Sequence, residues 1–318
     1  MGNVVLVFSM DKILEMKEYY NTYVSNKVPT GGVFAAKLPN CMITAYKSGK
    51  VLFQGNDCER EAKRWRSASA IGTSRENHPV AKSQRSMKSE LPSNMSELSV
   101  IGSDEVGTGD FFGPITVVAA YVRKQDIPLL KELGVRDSKN LNDEKIIELA
   151  KILKDLVPFS LMTLKNEKYN QVQKSGMSQG KMKALLHNQA ILKVLEKIAP
   201  EKPDAILIDQ FVQANTYFQH LQGQQRIARE NVYFSTKAEG VHLAVAAASI
   251  LARYAFIQYI NQMSEVAGFN LPKGAGSQVD EAAAKLILKK GLGVLPSFVK
   301  MHFANTEKAV EIANKKKG

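Results

Sequence analysis

A chain of 318 residues exceeds one average domain, and 44% hydrophobic with 23% charged residues is ordinary for a globular protein, so we expect two domains. The sequence has no run of the roughly 18 apolar residues that span a membrane, and its two cysteines are too few for a disulfide framework or a thiolate metal site, which favours a reducing cytoplasm. The net charge of +12, half of it within the first 96 residues, predicts a polyanionic partner such as nucleic acid, unless it serves solubility alone.

The first 66 residues have the pattern of a small α+β domain. Val4–Phe8 is an apolar run typical of a strand, and Ser9 can cap a helix that runs from Met10 to about Val24. Three further short strands follow, separated by turn residues, and a basic helix completes the domain. These elements are predicted at Val33–Leu38, Met42–Tyr46, Val51–Gln54 and Asp57–Arg66.

An open face of this small sheet could bind nucleic acid, because lysines can follow phosphates and a tyrosine can stack on a base. In the alternative interpretation, the tyrosine belongs to the core and the lysines are solvated surface. The candidate contacts are Ala35, Lys37, Thr44, Tyr46, Lys47 and Lys50.

Residues 67–96 are rich in serine and basic residues and lack a sustained apolar period, which predicts a flexible linker. From residue 97 to residue 318 strands come first and are then interleaved with helices, which predicts an α/β fold with a mixed sheet flanked by helices. The strands are predicted at Val100–Asp104, Ile115–Val122, Phe159–Leu164, Ala205–Asp209 and Val232–Ser235. The helices are predicted at Asp143–Leu156, Lys181–Ile198, Val241–Val266, Val279–Lys290 and Asn305–Asn314.

Two of these strands end in carboxylates. Asp104 and Glu105 follow one apolar strand and precede a glycine-rich loop, and Asp209 ends another. Adjacent buried carboxylates are costly unless a cation compensates them, and ligands collect at the carboxyl ends of strands in open α/β sheets. Carboxylate oxygens suit Mg²⁺ or Mn²⁺, so the pattern predicts phosphoryl chemistry with a pair of divalent metal ions. The alternative is that each aspartate forms a turn or caps a helix.

A third candidate segment precedes the long helix predicted at Val241–Val266. The small residues of that helix would let it pack closely against the sheet, and Glu239 stands just before it, where its carboxylate could reach the strand ends. An acid favoured by a helix N-terminus is an equal alternative for Glu239. His242 is either a proton shuttle or, as we favour, a packed histidine.

Several motifs together carry a resemblance to a known family. They are Asp104–Pro114, Asp137–Lys139, Asp209, Lys237–Glu239 with Ala246–Arg253, and Val299–Thr306. In combination they resemble the type 2 ribonuclease H group, and in particular its ribonuclease HIII branch, over roughly residues 100 to 306. The first 66 residues resemble the small N-terminal domain of that branch, which has a fold similar to the TATA-binding protein.

The resemblance implies a ribonuclease H-like fold and an endonuclease that cleaves the RNA strand of RNA–DNA hybrids, leaving 5′-phosphate and 3′-hydroxyl ends. It implies two-metal-ion catalysis with Mg²⁺ or Mn²⁺ held by four acids, and an N-terminal domain that binds the hybrid. The four acids fall on Asp104, Glu105, Asp209 and Glu239.

Contacts with the substrate are also implied by the resemblance. A threonine between two glycines would offer backbone groups to ribose 2′-hydroxyls, the feature that separates RNA from DNA. Lys139 would hold a phosphate as a point charge. The loop residues are Gly107, Thr108 and Gly109, and the weaker phosphate candidates are Ser138 and Arg253.

Three departures from the sister family, ribonuclease HII, limit what is carried over. Thr108 stands where that family has arginine, and the segment Pro272–Gly276 lacks the tyrosine that senses an RNA–DNA junction. The fourth acid is a glutamate in place of an aspartate. The resemblance therefore does not extend to efficient cleavage at a single embedded ribonucleotide.

Two other functions fit part of the pattern. A metal-dependent exonuclease of the same broad fold would usually have its first two acids as Asp-x-Glu, whereas here they are adjacent. A nucleic-acid-binding protein without catalysis would leave four acids beside a basic surface unexplained, since carboxylates repel phosphate unless metal intervenes. We expect a monomer that needs neither a membrane nor an obligate protein partner.

Overall fold

The computed structural model describes residues 2–25, 27–29, 31–66, 91–136 and 138–317. Within these ranges the chain forms two sheets, one of four strands and one of five. The predicted linker lies outside the described residues as far as residue 90, and so does Asp137. We call residues 2–66 the N-terminal domain and the residues from 91 onwards the C-terminal domain.

The N-terminal domain is an antiparallel sheet with two helices on one face. Its strands have the order β1-β4-β3-β2. Alternate residues such as Phe34, Ile43 and Phe53 point to the helices and form the core with Ile13 and Met16. The elements are β1 (Gly2–Val7), α1 (Met10–Tyr19), β2 (Gly32–Lys37), β3 (Met42–Tyr46), β4 (Lys50–Gly55) and α2 (Cys58–Trp65).

The helix predicted from Met10 to about Val24 is shorter than expected. Ser9 caps it, accepting a hydrogen bond from the Lys12 amide at 3.4 Å. The helix ends at Tyr19, and a short 3₁₀ turn at Asn21–Tyr23 replaces its last predicted turn. Tyr20 ends the helix there because its ring is buried in the domain core, where its hydroxyl donates to Glu61 and accepts from the Trp65 indole.

The second face of the N-terminal sheet packs against the C-terminal domain. Tyr46 and Leu52 form a buried cluster with Leu129 and Ile152. This cluster closes the face that the first interpretation left open, so the exposure expected there for four candidate nucleic-acid contacts is wrong. The alternative, that Tyr46 belongs to the core, is confirmed. The four buried residues are Ala35, Thr44, Tyr46 and Lys50, whereas Lys37 and Lys47 are exposed as predicted.

Polar contacts frame this apolar cluster. Lys50 donates from Nζ to the Gln125 carbonyl and pairs with Asp126 Oδ1 at 2.9 Å. Ser48 donates from its amide and its hydroxyl to the Glu132 carboxylate, at 3.0 and 2.8 Å. Burial raises the pKa of Tyr46 to about 12, as expected of a phenol that has left water.

The C-terminal domain is built on the five-stranded mixed sheet. The strands are β5 (Val100–Val106), β6 (Ile115–Val122), β7 (Phe159–Leu164), β8 (Ala205–Asp209) and β9 (Val232–Ser235), in the order β7-β6-β5-β8-β9. The first three pair antiparallel, and β5, β8 and β9 are parallel. This mixed sheet with helices on both faces confirms the predicted α/β fold.

Helices connect and cover these strands. Four short ones, α3, α5, α7 and α10, were not predicted, because too few turns are present to show an apolar period. The helices are α3 (Ile127–Glu132), α4 (Asp143–Leu156), α5 (Asn166–Lys174), α6 (Gln179–Ile198), α7 (Ala214–His220), α8 (Leu243–Ala267), α9 (Ser277–Lys290), α10 (Leu295–Phe298) and α11 (Asn305–Lys315).

Helix α8 is the centre of the C-terminal domain. It packs on β5 and β6 on one face of the sheet, while α6 covers the other face. The approach is so close that a Cβ atom on Gly102 would lie 2.2 Å from the backbone of Ala244 and Val245. By length and composition α8 could cross a membrane, but 72% of its apolar window is buried inside the domain, as in a core helix.

The end of the predicted linker belongs to this domain. Met95 is buried in the core that α8 forms with β5 and α4, and Leu91 packs against it. Both side chains have apolar partners, so residues 91–96 are folded and the C-terminal domain starts before residue 97.

Candidate active site

The carboxylates predicted from the sequence stand at one edge of the five-stranded sheet. β5 and β8 are parallel neighbours, and Ser103 pairs in register with Ile208. The next residue on each strand is an aspartate, Asp104 on β5 and Asp209 on β8. The parallel register therefore brings two acids from distant parts of the chain to the same edge.

Asp104 is buried, with 8% of its surface exposed. Its Oδ1 accepts a hydrogen bond from the Glu105 amide at 2.7 Å. Burial and the neighbouring charge of Glu105 raise the pKa of Asp104 to about 8, although a hydrogen bond with Ser249 opposes the shift. The ionised form of Asp104 thus lacks a compensating positive charge.

Glu105 has the opposite electrostatic environment. Its Oε1 accepts from Lys183 Nζ at 2.8 Å, and its Oε2 lies 2.9 Å from His187 Nε2. Burial raises the pKa of Glu105, but the hydrogen bonds and charges of His187 and Lys183 outweigh burial and lower it to about 2. Glu105 is therefore ionised at neutral pH.

Asp209 and Glu239 complete the acidic group. Asp209 Oδ1 accepts from the Ala238 amide at 2.9 Å, which ties the strand end to the segment that carries Glu239. Burial raises the pKa of Asp209, and the charges of Glu239 and Glu105 add to this shift. Lys139 donates to Glu239 Oε1 at 2.8 Å, whereas Glu239 Oε2 is buried and has no hydrogen-bond partner among the described residues.

These four acids fit a divalent cation by their chemistry. Carboxylate oxygens are the ligands that Mg²⁺ and Mn²⁺ prefer, and a buried carboxylate oxygen without a partner is costly unless a cation or donor meets it. In the described ranges no three acidic, imidazole or thiolate groups already surround one point where a metal ion would sit. Each of the four acids instead accepts a hydrogen bond, at 2.7 to 2.9 Å. A bound cation would therefore take the place of mobile donors such as the Lys183 and Lys139 ammonium groups.

The predicted ribose-reading loop lies directly beyond β5. Gly107 has φ +96°, and a Cβ atom there would lie 2.2 Å from the Pro114 carbonyl oxygen, so only glycine fits. Gln179 donates to the Thr108 carbonyl at 3.2 Å, and Gly109 is exposed. The loop is thus held by its neighbours while its tip stays open.

A buried lysine holds the rest of this loop. Lys300 donates from Nζ to the carbonyls of Asp110 and Gly113, at 2.7 and 2.6 Å. Burial lowers the pKa of Lys300 to about 7, although the charge of Asp110 opposes the shift. Gly274 adds a second attachment, since its amide donates to Asp110 Oδ1 at 2.6 Å and its carbonyl accepts from Phe111.

The predicted phosphate contacts differ in their positions. Lys139 is at the site, with 72% of its side chain exposed beside Glu239. Ser138 is buried, with its hydroxyl 2.8 Å from that of Ser249. It therefore does not offer the direct phosphate contact that we expected of it. Arg253 donates to the Ser138 carbonyl and to Asp143 at 2.8 Å, which uses its guanidinium to fix the segment before Lys139.

His242 is a packed histidine, as we favoured. It caps α8 by accepting from the Ala244 amide on Nδ1, and its Nε2 lies 3.1 Å from the Leu98 carbonyl. Burial lowers its pKa to about 4, so the ring is neutral at pH 7. Both nitrogens are used by the backbone, which leaves none for a proton shuttle.

Comparison with known proteins identifies the family. A family model described as Ribonuclease HII matches residues 101–306, and one described as a domain of unknown function matches residues 3–77. A protein of Bacillus mycoides named Ribonuclease HIII is 56% identical over 99% of this chain and 100% of its own length. The chain belongs to the ribonuclease HIII family.

Solved structures agree with this assignment to the ribonuclease HIII family. Bst-RNase HIII in complex with Mn²⁺ is 45% identical, covers 99% of this chain and 100% of its own, and superposes with a TM-score of 0.69. RNase H3 of Aquifex aeolicus, 24% identical over 94% of this chain and 99% of its own, superposes with a TM-score of 0.52 and shows the shared fold. The predicted enzyme class, a ribonuclease that hydrolyses phosphodiester bonds, is confirmed.

Sequence reasoning missed several residues of this ribonuclease HIII site. Lys183 and His187 are four residues apart, a spacing that places two side chains on one face of a helix. The sequence alone does not show that this face of α6 is the one that contacts β5. Lys300 belongs to one of the motifs of the resemblance, yet its burial against the loop depends on tertiary packing. The missed residues are Lys183, His187, Gln179, Ser249 and Lys300.

Proposed function

We propose that this ribonuclease is an endonuclease that hydrolyses the RNA strand of RNA–DNA hybrids and leaves 5′-phosphate and 3′-hydroxyl ends. The observation that carries the proposal is the group of acids at the edge of β5 and β8, with Glu239 Oε2 buried and unpartnered among the described residues. Acids in such a group repel a phosphodiester unless cations lie between them.

Mg²⁺ or Mn²⁺ would be held by Asp104, Glu105, Asp209 and Glu239. A pair of such ions supplies an activated water and stabilises the charge that develops on the leaving 3′-oxygen. The Mn²⁺ complex of Bst-RNase HIII supports this choice of ion. The pKa of Asp104 is raised to about 8 by burial and by the charges of Glu105 and Asp209, so we assign it the central position.

The chain's own residues would bind and orient the substrate. Glu105 is kept ionised by Lys183 and His187, so no proton has to leave it at neutral pH. Lys139 would move its exposed ammonium from Glu239 to a phosphate of the RNA strand. Backbone groups at Thr108 and the adjacent glycines would meet a ribose 2′-hydroxyl, which selects RNA.

We propose that residues 1–66 form a domain that binds the hybrid and that residues from 91 onwards form the catalytic domain. Lys37 and Lys47 are the N-terminal candidates that remain exposed, and they would contact phosphates without regard to sequence. We further propose a cytoplasmic location, since Cys41 and Cys58 are both unpaired and buried. We also propose that the chain acts as a monomer.

The experiment uses a hybrid labelled at either end of its RNA strand, incubated with Mg²⁺, Mn²⁺ or EDTA. Asp209→Asn should lower the cleavage rate by a factor of about 1000 or more, equivalent to roughly 4 kcal/mol of transition-state stabilisation, and largely spare hybrid binding. Asp204→Asn is the matched control, because Asp204 stands before the other end of β8 and accepts a hydrogen bond from the Ser99 amide.

Internal fragments from both labels would identify an endonuclease, and release of single nucleotides from one end would favour an exonuclease. Hybrid that stays intact with both metals would overturn the proposal. A duplex with one embedded ribonucleotide should be a poor substrate, because Ala275 and its neighbours offer no aromatic side chain at the segment Pro272–Gly276.

A further inference from the structure

His187 is a fully buried histidine that touches the acidic site without belonging to the acids. It lies on α6 and contacts two residues of β5. Its Nδ1 lies 2.7 Å from the Ser103 hydroxyl, and its Nε2 lies 2.9 Å from Glu105 Oε2. One face of the ring stacks on Phe211 with 5.0 Å between centroids.

The positions of Ser103 and Glu105 explain what this ring can do. They are two residues apart on one strand, so both side chains leave the sheet on the face covered by α6, whereas Asp104 between them faces Ser249 on α8. Glu105 must therefore bend over the end of the sheet to act together with Asp104 and Asp209. A glutamate has several rotatable bonds, and without a fixed donor its carboxylate could turn away.

We infer that His187 is a positioning residue that fixes the Glu105 carboxylate for divalent-cation binding. This inference rests on the proposed function. Two rigid anchors, the Ser103 hydroxyl and the Phe211 ring, hold the imidazole in one orientation. A carboxylate oxygen accepts, so the 2.9 Å contact assigns a proton to Nε2, which donates a hydrogen bond to Oε2. Oε2 is thereby held by a planar donor whose own orientation is fixed by Ser103 and Phe211.

Lys183 has a different role on the same carboxylate. Its Nζ lies 2.8 Å from Glu105 Oε1 and 4.2 Å from the centroid of the Phe211 ring. A lysine is a point charge on a flexible stem, so it can neutralise Oε1 and move aside when a cation arrives. Lys183 thus supplies a mobile positive charge beside Oε1, and His187 sets the direction of the carboxylate.

The test is the Mn²⁺ affinity of the full chain, measured by calorimetry in the absence of nucleic acid. His187→Phe keeps the ring but removes both nitrogens, and it should weaken Mn²⁺ binding about 10- to 100-fold, the usual effect of losing a hydrogen-bond partner of a metal ligand. His187→Gln places a donor near the position of Nε2, and His187→Asn places one near Nδ1. Gln should therefore bind Mn²⁺ more tightly than Asn or Phe.

A purely structural role predicts the opposite order, since Phe best preserves the packing on Phe211. Mn²⁺ binding by the Phe variant at wild-type affinity, or a ranking of Phe above Gln, would overturn the inference. His242→Asn serves as the matched control, because His242 is also buried but forms its hydrogen bonds with backbone groups. It should leave Mn²⁺ affinity within about twofold.

A measurement on the unaltered protein keeps the inference testable if these variants do not fold. The NMR resonance of the proton on His187 Nε2 should shift as Mg²⁺ is added, and the size of the shift should follow the fraction of protein that has bound Mg²⁺. A resonance that stays in place while Mg²⁺ binds would overturn the role of His187 alone. A wild-type chain that binds neither Mg²⁺ nor Mn²⁺ would overturn the proposed function instead.

Discussion

The two sheets of this chain both bury their faces, but they keep their polar residues in different places. In the five-stranded sheet Asp104 and Asp209 stand at strand ends, so the helices that cover the faces leave the acids at the edge. In the N-terminal sheet Tyr46 and Lys50 stand on a face, so their exposure depends on what packs there. Strand-end chemistry can therefore be predicted from local sequence, whereas chemistry on a face requires knowledge of the neighbouring domain.

The largest change in the free energy of unfolding is expected where helix α8 lies on the face of the five-stranded sheet. Gly102→Ala would force a Cβ atom against the backbone of Ala244 and Val245, so the free energy of unfolding should fall by about 3 kcal/mol or more. Denaturant unfolding followed by circular dichroism measures the loss. Gly293→Ala, which meets no atom within 4 Å, should change it by less than about 0.5 kcal/mol.

A smaller effect is expected at the face of the N-terminal sheet. Lys50→Met removes the pair with Asp126 and the bond to the Gln125 carbonyl, and it should destabilise the N-terminal domain by about 2 kcal/mol. The chain's single tryptophan, Trp65, lies in the core of that domain, so its fluorescence reports unfolding of this domain. Lys47→Met, at an exposed position, is the control. If the two variants unfolded with the same midpoint, the contacts of Lys50 with the C-terminal domain would not stabilise the N-terminal sheet.

Lys300 links stability to pH through the loop beyond β5. Because burial lowers its pKa from 10.5 to about 7, the unfolded chain binds more protons than the folded one between these values. Its destabilising contribution is full below pH 7 and fades as pH rises towards 10.5. The wild type should therefore gain stability relative to Lys300→Met by up to about 1.4 kcal/mol per pH unit in this window. If the difference between their free energies of unfolding did not change with pH, the lowered pKa of Lys300 would be wrong.

The smallest effect is expected from the exposed lysines of the N-terminal domain. Replacing Lys37 and Lys47 together by alanine should make the slope of log hybrid affinity against log salt shallower by about 2, because two phosphate contacts are lost. Fluorescence anisotropy at several salt concentrations measures the slope. Substituting Lys12 and Lys17 of α1, on the helix-covered side, removes the same charge, and an identical change there would argue against a specific surface.

The sequence was sufficient for the elements whose pattern is local. The five strands of the C-terminal domain and its longer helices lie within a few residues of their predicted ranges, since apolar periods and strand-end acids are local signals. Three other features arise from contacts between residues far apart in the chain. They are the burial of Tyr46, the packing of Met95 in the C-terminal core and the hydrogen bond from His187 to Glu105. One sequence does not say which surfaces meet, so these features required the structure.

The distance along the chain between Lys300 and its partners has a consequence for biosynthesis. The lysine holds the carbonyl of Asp110 across 190 residues of sequence. A growing chain that has reached α9 already contains all four acids but not the lysine that fastens the loop proposed to contact the ribose. Of the two parts of the site, the loop that would choose the substrate therefore receives its lysine only after all four acids have been synthesised.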